Sequence, residues 1–169
     1  MEDFMRNPEK SSFQISPNGN YVAFMKPWNT RMNVFVMDMN TNKEERLTSS
    51  EARGIYGFTW LTDNRIGYIK DDGGNENMHF YAVNIDGTNE MDLTPFENIQ
   101  ARIIDDLEDD QNHVIIGLNK RNPQIHDPYR VNINDGTMEM IAENPGNISG
   151  WGTDPVSYTH LTLPTNDLV

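Results

Sequence analysis

Four histidines, at positions 79, 113, 126 and 160, and 26 acidic residues are the side chains available for acid–base or metal chemistry. None of the histidines stands at His-x-x-x-His spacing, which would put two imidazoles on one helical face for zinc. His126-Asp127 could supply two members of a Ser-His-Asp set, but no motif supplies the serine. The nearest approach to Gly-x-Ser-x-Gly is Gly146-Asn147-Ile148-Ser149-Gly150, where the serine falls one place late. Two acidic runs, Asp105-Asp106-Leu107-Glu108-Asp109-Asp110 and Asp71-Asp72-Gly73-Gly74-Asn75-Glu76, could offer a hard cation several carboxylates. Both lack the alternating Asp-x-Asp-x-Asp-Gly loop and read better as solvated turns. The chain has no cysteine, which removes disulfides, thiolate ligands and thiol nucleophiles. No catalytic residue, metal site or cofactor is therefore expected within it.

Charge narrows the partners. With 13 basic against 26 acidic residues in 169, the formal charge is −13 and the pI about 4.5. A nucleic acid or an anionic membrane surface would be repelled, so neither is expected. No apolar run approaches the ~20 residues that span a bilayer. The opening Met1-Glu2-Asp3-Phe4-Met5-Arg6 has no apolar core of the secretory kind, so a cytoplasmic location is expected.

The elements that would position any site alternate with period two. Tyr21-Val22-Ala23-Phe24, Val34-Phe35-Val36-Met37, Arg65-Ile66-Gly67-Tyr68-Ile69, Phe80-Tyr81-Ala82-Val83 and His113-Val114-Ile115-Ile116 read as strands. Between strands lie turn formers such as Ser16-Pro17-Asn18-Gly19, Asp86-Gly87 and Asp135-Gly136, whose Asn-Gly and Asp-Gly steps suit tight hairpins. The expected class is all-β and antiparallel.

A repeat sharpens this. Phe35-Val36-Met37-Asp38-Met39-Asn40 runs on to Leu47-Thr48, Tyr81-Ala82-Val83-Asn84-Ile85-Asp86 to Leu93-Thr94, and Tyr129-Arg130-Val131-Asn132-Ile133-Asn134 to Ile141-Ala142. The aromatics are 46 and 48 residues apart (81 − 35, 129 − 81), and the closing aliphatic always follows by 12 (47 − 35, 93 − 81, 141 − 129). A period in the high forties holding four strands is the length of a β-propeller blade. Residues 1–154 are thus expected to form an incomplete β-propeller, with blades at about 12–48, 55–94 and 99–142 and a fourth beginning near 148. A sandwich is the competing architecture, but such self-similarity is unusual there. Three blades do not close a ring, so exposed sheet faces should leave the chain aggregating or marginally stable.

From Pro155 to Thr165 the run Pro-Val-Ser-Tyr-Thr-His-Leu-Thr-Leu-Pro-Thr shows no hairpin in blade register. It resembles the translated end of a transposase-type sequencing adapter, so residues 155–169 are expected to be a non-native or disordered tail.

The opening segment, Phe4-Met5-Arg6-Asn7-Pro8-Glu9 through Ser16-Pro17-Asn18-Gly19, resembles the start of bacterial prolyl oligopeptidase-family serine peptidases of the acylaminoacyl- and dipeptidyl-peptidase kind. Asn18 stands where that pattern has aspartate. The Leu-Thr closings fit as well, and the resemblance spans roughly residues 4–154. It implies a parent in which a propeller gates access of oligopeptides to an α/β-hydrolase domain that is missing from this chain. A glutamate pair captures the substrate amino terminus in some dipeptidyl-peptidase propellers. Glu44-Glu45, however, sits on a hairpin strand and reads as ordinary blade structure. The alternative is a non-enzymatic protein-binding propeller, like the Tol-system component or WD-type scaffolds.

Trp60 and Trp151 recur at the first-strand position, with Phe35, Tyr81 and Tyr129 on the third strand, where large side chains fill the wedge between blades. Trp28 falls outside this register. After Lys26-Pro27 it is expected in the loop between the second and third strands of the first blade, as a contact at the channel mouth or with the hydrolase domain.

Overall fold

The computed structural model describes residues 9–71, 74–107, 109–153 and 161–162. These form three four-stranded antiparallel sheets, each ordered as in the chain. Blade 1 holds β1 (Ser11–Ile15), β2 (Tyr21–Trp28), β3 (Arg31–Asp38) and β4 (Glu44–Arg46). Blade 2 holds β5 (Gly57–Thr62), β6 (Arg65–Asp71), β7 (Met78–Asn84) and β8 (Met91–Asp92). Blade 3 holds β9 (Ala101–Asp105), β10 (His113–Asn122), β11 (Ile125–Asn132) and β12 (Met138–Met140). No helix occurs among the described residues. The all-β, incomplete-propeller expectation holds.

Register shows that the repeat is structural. Phe35 lies opposite Phe24 and Arg46, Tyr81 opposite Tyr68 and Asp92, and Tyr129 opposite Ile116 and Met140. The closing aliphatic does the same work in each blade: the amides of Leu47, Leu93 and Ile141 donate to the carbonyls of Val34, Phe80 and Pro128. The next residue completes the bonding. Thr48 Oγ1 accepts the Val34 N–H at 3.0 Å, and Thr94 Oγ1 the Phe80 N–H at 2.8 Å. In blade 3 the corresponding residue is Pro128, which has no N–H, and the threonine is replaced by Ala142. The acceptor disappears where the donor does.

Because strand side chains alternate, each sheet offers a face to either neighbour. Ala23, Met25, Val34 and Val36 of blade 1 pack on Phe58, Trp60, Ile66 and Tyr68 of blade 2. Phe80, Ala82 and Leu93 of blade 2 pack on Ile116, Tyr129 and Val131 of blade 3. Tyr81 and Tyr129 therefore face the preceding blade. Phe35 and Phe24 occupy that same position on the outer face of blade 1, in a separate cluster with Val22, Trp28 and Met37. Gly67 is required by this stacking, since a Cβ there would come within 2.4 Å of the Phe80 ring.

Of the run 155–165, only Leu161–Thr162 (β14) lies within the described residues. It pairs antiparallel with Gly152–Thr153 (β13), at the edge where a fourth blade was expected to begin.

Candidate functional site

Trp28 is the last residue of β2, paired with Arg31 across a two-residue hairpin, so it lies on a strand and not in the expected loop. Pro27 obscures this in the sequence. It sits opposite Met32 beyond the reach of β1, which pairs with β2 only as far as Met25, so its missing donor costs no ladder bond. The hairpin is closed by Asn29 and Thr30, both left-handed, at φ 47° and 68°.

Around Trp28 the outer face of blade 1 is covered by cations. Arg46 lies 3.7 Å over the Trp28 ring, Lys26 5.1 Å over Phe35 and Lys10 4.4 Å over Phe24. Glu44 ties the layer together, with Oε2 at 2.5 Å from Lys10 Nζ and Oε1 at 2.5 Å from Lys26 Nζ. Hydrogen bonds from Lys10 and then Lys26 hold the Glu44 carboxyl below its usual range. Its role as a brace escaped the sequence because Lys10 is 34 residues away and only strand pairing brings it near.

Several of the remaining candidate groups are held in pairs. Asp127 is fully buried, and Arg121 grips it with two nitrogens at 2.9 and 3.1 Å while the Asn144 amide adds 2.7 Å. Burial pushes that carboxyl up, but these bonds prevail and hold it low. His126 and Asp127 are neighbours on β11 and point to opposite faces, which rules them out as a catalytic pair. Burial, and then Arg102, push the His126 imidazole down. His79 Nδ1 meets Asp92 at 2.7 Å and His113 Nδ1 meets Asp110 at 2.9 Å. Of the acidic runs, Asp106 accepts from Thr59 across the seam between blades 2 and 3, and Asp110 is bound by Arg130. No group of three potential metal ligands occurs among the described residues. His160, Glu108, Asp72 and Gly73 lie outside the described residues. The Asn144 side chain cradles the backbone of 146 and 148, so Ser149 sits beyond a loop with no helix following it among the described residues. The two tryptophans expected to be equivalent differ. Trp60 donates to the Gln14 carbonyl of the preceding blade, whereas Trp151 precedes β13 and donates to His126 O of β11.

No family model matches the chain. Dipeptidyl aminopeptidase BIII of Pseudoxanthomonas mexicana is 31% identical over 155 residues, covering 90% of this chain and 22% of that protein. The Tricorn-like protease N-terminal subunit of Sulfurisphaera tokodaii is 30% identical over 133 residues, covering 75% and 63% respectively. Among solved structures, TolB of Agrobacterium tumefaciens superposes with TM-score 0.60 at 16% identity, over 80% of this chain and 50% of that one. The β-propeller domain of the Pyrococcus furiosus trilobed protease gives 0.58 at 17%, over 80% and 43%. The fold is thus a partial β-propeller of a kind shared by peptidases and Tol-type proteins. In sequence the chain is related to the propeller part of prolyl oligopeptidase-family serine peptidases, and it spans about a fifth of the first such relative.

Proposed function

We propose that this chain is the propeller segment of a cytoplasmic serine peptidase that restricts an α/β-hydrolase domain to oligopeptides. The observation that carries the reading is the 31% identity with a dipeptidyl aminopeptidase, in a chain whose described residues form blades and bring no serine hydroxyl onto a histidine. The chemistry belongs to the hydrolase partner: a serine on a strained elbow attacks the peptide carbonyl, a histidine takes its proton, and backbone amides hold the oxyanion. The propeller contributes exclusion, because stacked sheets around a narrow axis pass an extended peptide and stop a folded protein. Trp28, held flat by Arg46, is a contact for the hydrolase domain or the channel mouth. The test is labelling with a fluorophosphonate. The product of the uninterrupted reading frame beyond Asp154 should be labelled and release dipeptides from chromogenic substrates, while these 169 residues take no label. A longer product that neither labels nor hydrolyses peptides would overturn the proposal. Trp28→Ala in that product should loosen domain docking or alter substrate selection; unchanged docking and selection would remove Trp28 from the reading.

A further inference from the structure

Resting on the peptidase reading above, we propose that the cleft between the β2–β3 hairpin and the crossover into blade 2 binds the terminal carboxylate of an oligopeptide, through Arg31, Arg53 and Tyr56.

The cleft holds about 410 Å³, within the range of small-ligand sites. Its apolar floor is Met32, Ala52 and Ile55, and its charged groups are two arginines with no carboxylate among the lining residues. That balance is the reverse of the chain's, whose formal charge is −13. The cleft at the other end of β3 follows the chain, with Asp38, Glu45 and Asp86 against Lys43. Arg31 makes no ion pair among the described residues, and Glu51, the acid of the crossover, instead accepts from Asn29 at 3.5 Å. A carboxylate entering the cleft therefore meets guanidinium groups, whose planar forks match its two oxygens.

The frame is fixed before any ligand arrives. The Ile55 amide donates to Met32 O at 2.9 Å, and a Cβ on Gly54 would crowd the Met32 amide nitrogen at 3.2 Å, so glycine lets the crossover lie against β3. The Ser50 hydroxyl donates to the Arg53 carbonyl and closes the turn before it. Behind the cleft, buried Asp71 turns an Oδ2 that makes no hydrogen bond toward Arg53 Nε, at 3.6 Å. Arg53 Nη1 donates to Tyr56 Oη at 3.2 Å, so the half-exposed phenol keeps its own proton for a ligand oxygen.

The position suits the end of a peptide. First strands are joined across the seams, Gln14 Nε2 donating to Phe58 O and Thr59 to Asp106, just past β9, each at 2.9 Å. No hydrogen bond links the fourth strands to one another among the described residues, so the first strands lie nearest the propeller axis. The crossover runs inward from β4 to β5, and Tyr56 stands one residue before β5 with its amide on Ile69 O at 3.0 Å. A short peptide on the axial path brings its free carboxylate within reach of this cleft, and a long chain or a folded protein does not. Carboxylate capture thus adds a measure of length to steric exclusion.

The product of the uninterrupted reading frame tests this with three substrates: an unblocked tetrapeptide, the same peptide amidated at its C-terminus, and an amidated version ending in glutamate. The free acid should have a KM about ten-fold below that of the plain amide, the usual worth of a charge-assisted hydrogen bond. Arg31→Gln, which removes a side chain with no ion pair to orphan, and Arg53→Lys, which keeps the charge and loses the fork, should each shrink that ratio; Arg31→Gln with Arg53→Gln should bring it to one. A glutamate amide that behaves as the plain amide assigns the cleft to the α-carboxylate, and one that recovers the KM of the acid assigns it to side-chain carboxylates as well. Calorimetric titration with the acid and the amide reads the cleft without turnover, so a product that prefers the acid but cleaves nothing would overturn the peptidase reading alone. Equal binding of acid and amide, or a preference that survives the double substitution, would overturn the carboxylate site and leave that reading standing.

Discussion

At the scale of single residues, the blade repeat is a matter of matched donors and acceptors. Thr48 is buried, and its hydroxyl both accepts the Val34 amide and donates to Asn33 Oδ1 at 2.9 Å. Thr48→Val keeps the shape and orphans a buried donor, so urea unfolding should show a loss of about 1–3 kcal/mol. Ala142→Thr should gain nothing, because Pro128 presents no N–H for it to accept. Glu44 makes a pH prediction. Its folded pKa is depressed below its usual 4.5 by Lys10 and Lys26, so its contribution is complete above about pH 4.5 and disappears as pH falls through the folded value. Glu44→Gln should therefore lower the thermal midpoint near pH 7 and flatten its fall below pH 4.5. An unchanged acid slope would show that the brace does not form.

Among the elements, strands and hairpins were legible in the sequence because period-two runs ended in Asn-Gly and Asp-Gly steps, and the constant spacing of 12 tied each third strand to its fourth. What stayed hidden was pairing across long separations. Pro27 reads as a breaker, yet it lies where β1 no longer accompanies β2, and so Trp28 is on a strand. The resemblance of Gly150-Trp151-Gly152 to Gly57-Phe58-Thr59-Trp60 suggested equivalent tryptophans, but their hydrogen-bond partners lie on different strands. The cation layer over Trp28, Phe35 and Phe24 could not be read at all, since it gathers residue 10, just before β1, with residue 26 of β2 and residues 44 and 46 of β4. Three substitutions test this level by circular dichroism melts. Gly67→Ala should destabilise by about 1–3 kcal/mol through overpacking against Phe80, whereas Gly57→Ala, with open space around its Cβ, should be near neutral. Thr30→Gly should stabilise by about 1 kcal/mol, because a β-branched residue at φ 68° is strained.

For the whole molecule, like-shaped sheets stack face on face, Ala23 and Val36 of blade 1 against blade 2 and Phe80 and Ala82 of blade 2 against blade 3. The premise beneath all of this is that residues 35, 81 and 129 occupy one structural position three times over. The Leu47, Leu93 and Ile141 amide bonds place Phe35–Arg46, Tyr81–Asp92 and Tyr129–Met140 in non-hydrogen-bonded antiparallel pairs, where Cα atoms approach to about 4.5 Å. Proton NMR of the labelled chain should therefore show a strong Hα–Hα Overhauser contact within each of the three pairs. If one of the three contacts were absent, or shifted by a residue, the blades would not be equivalent and the propeller account would be contradicted.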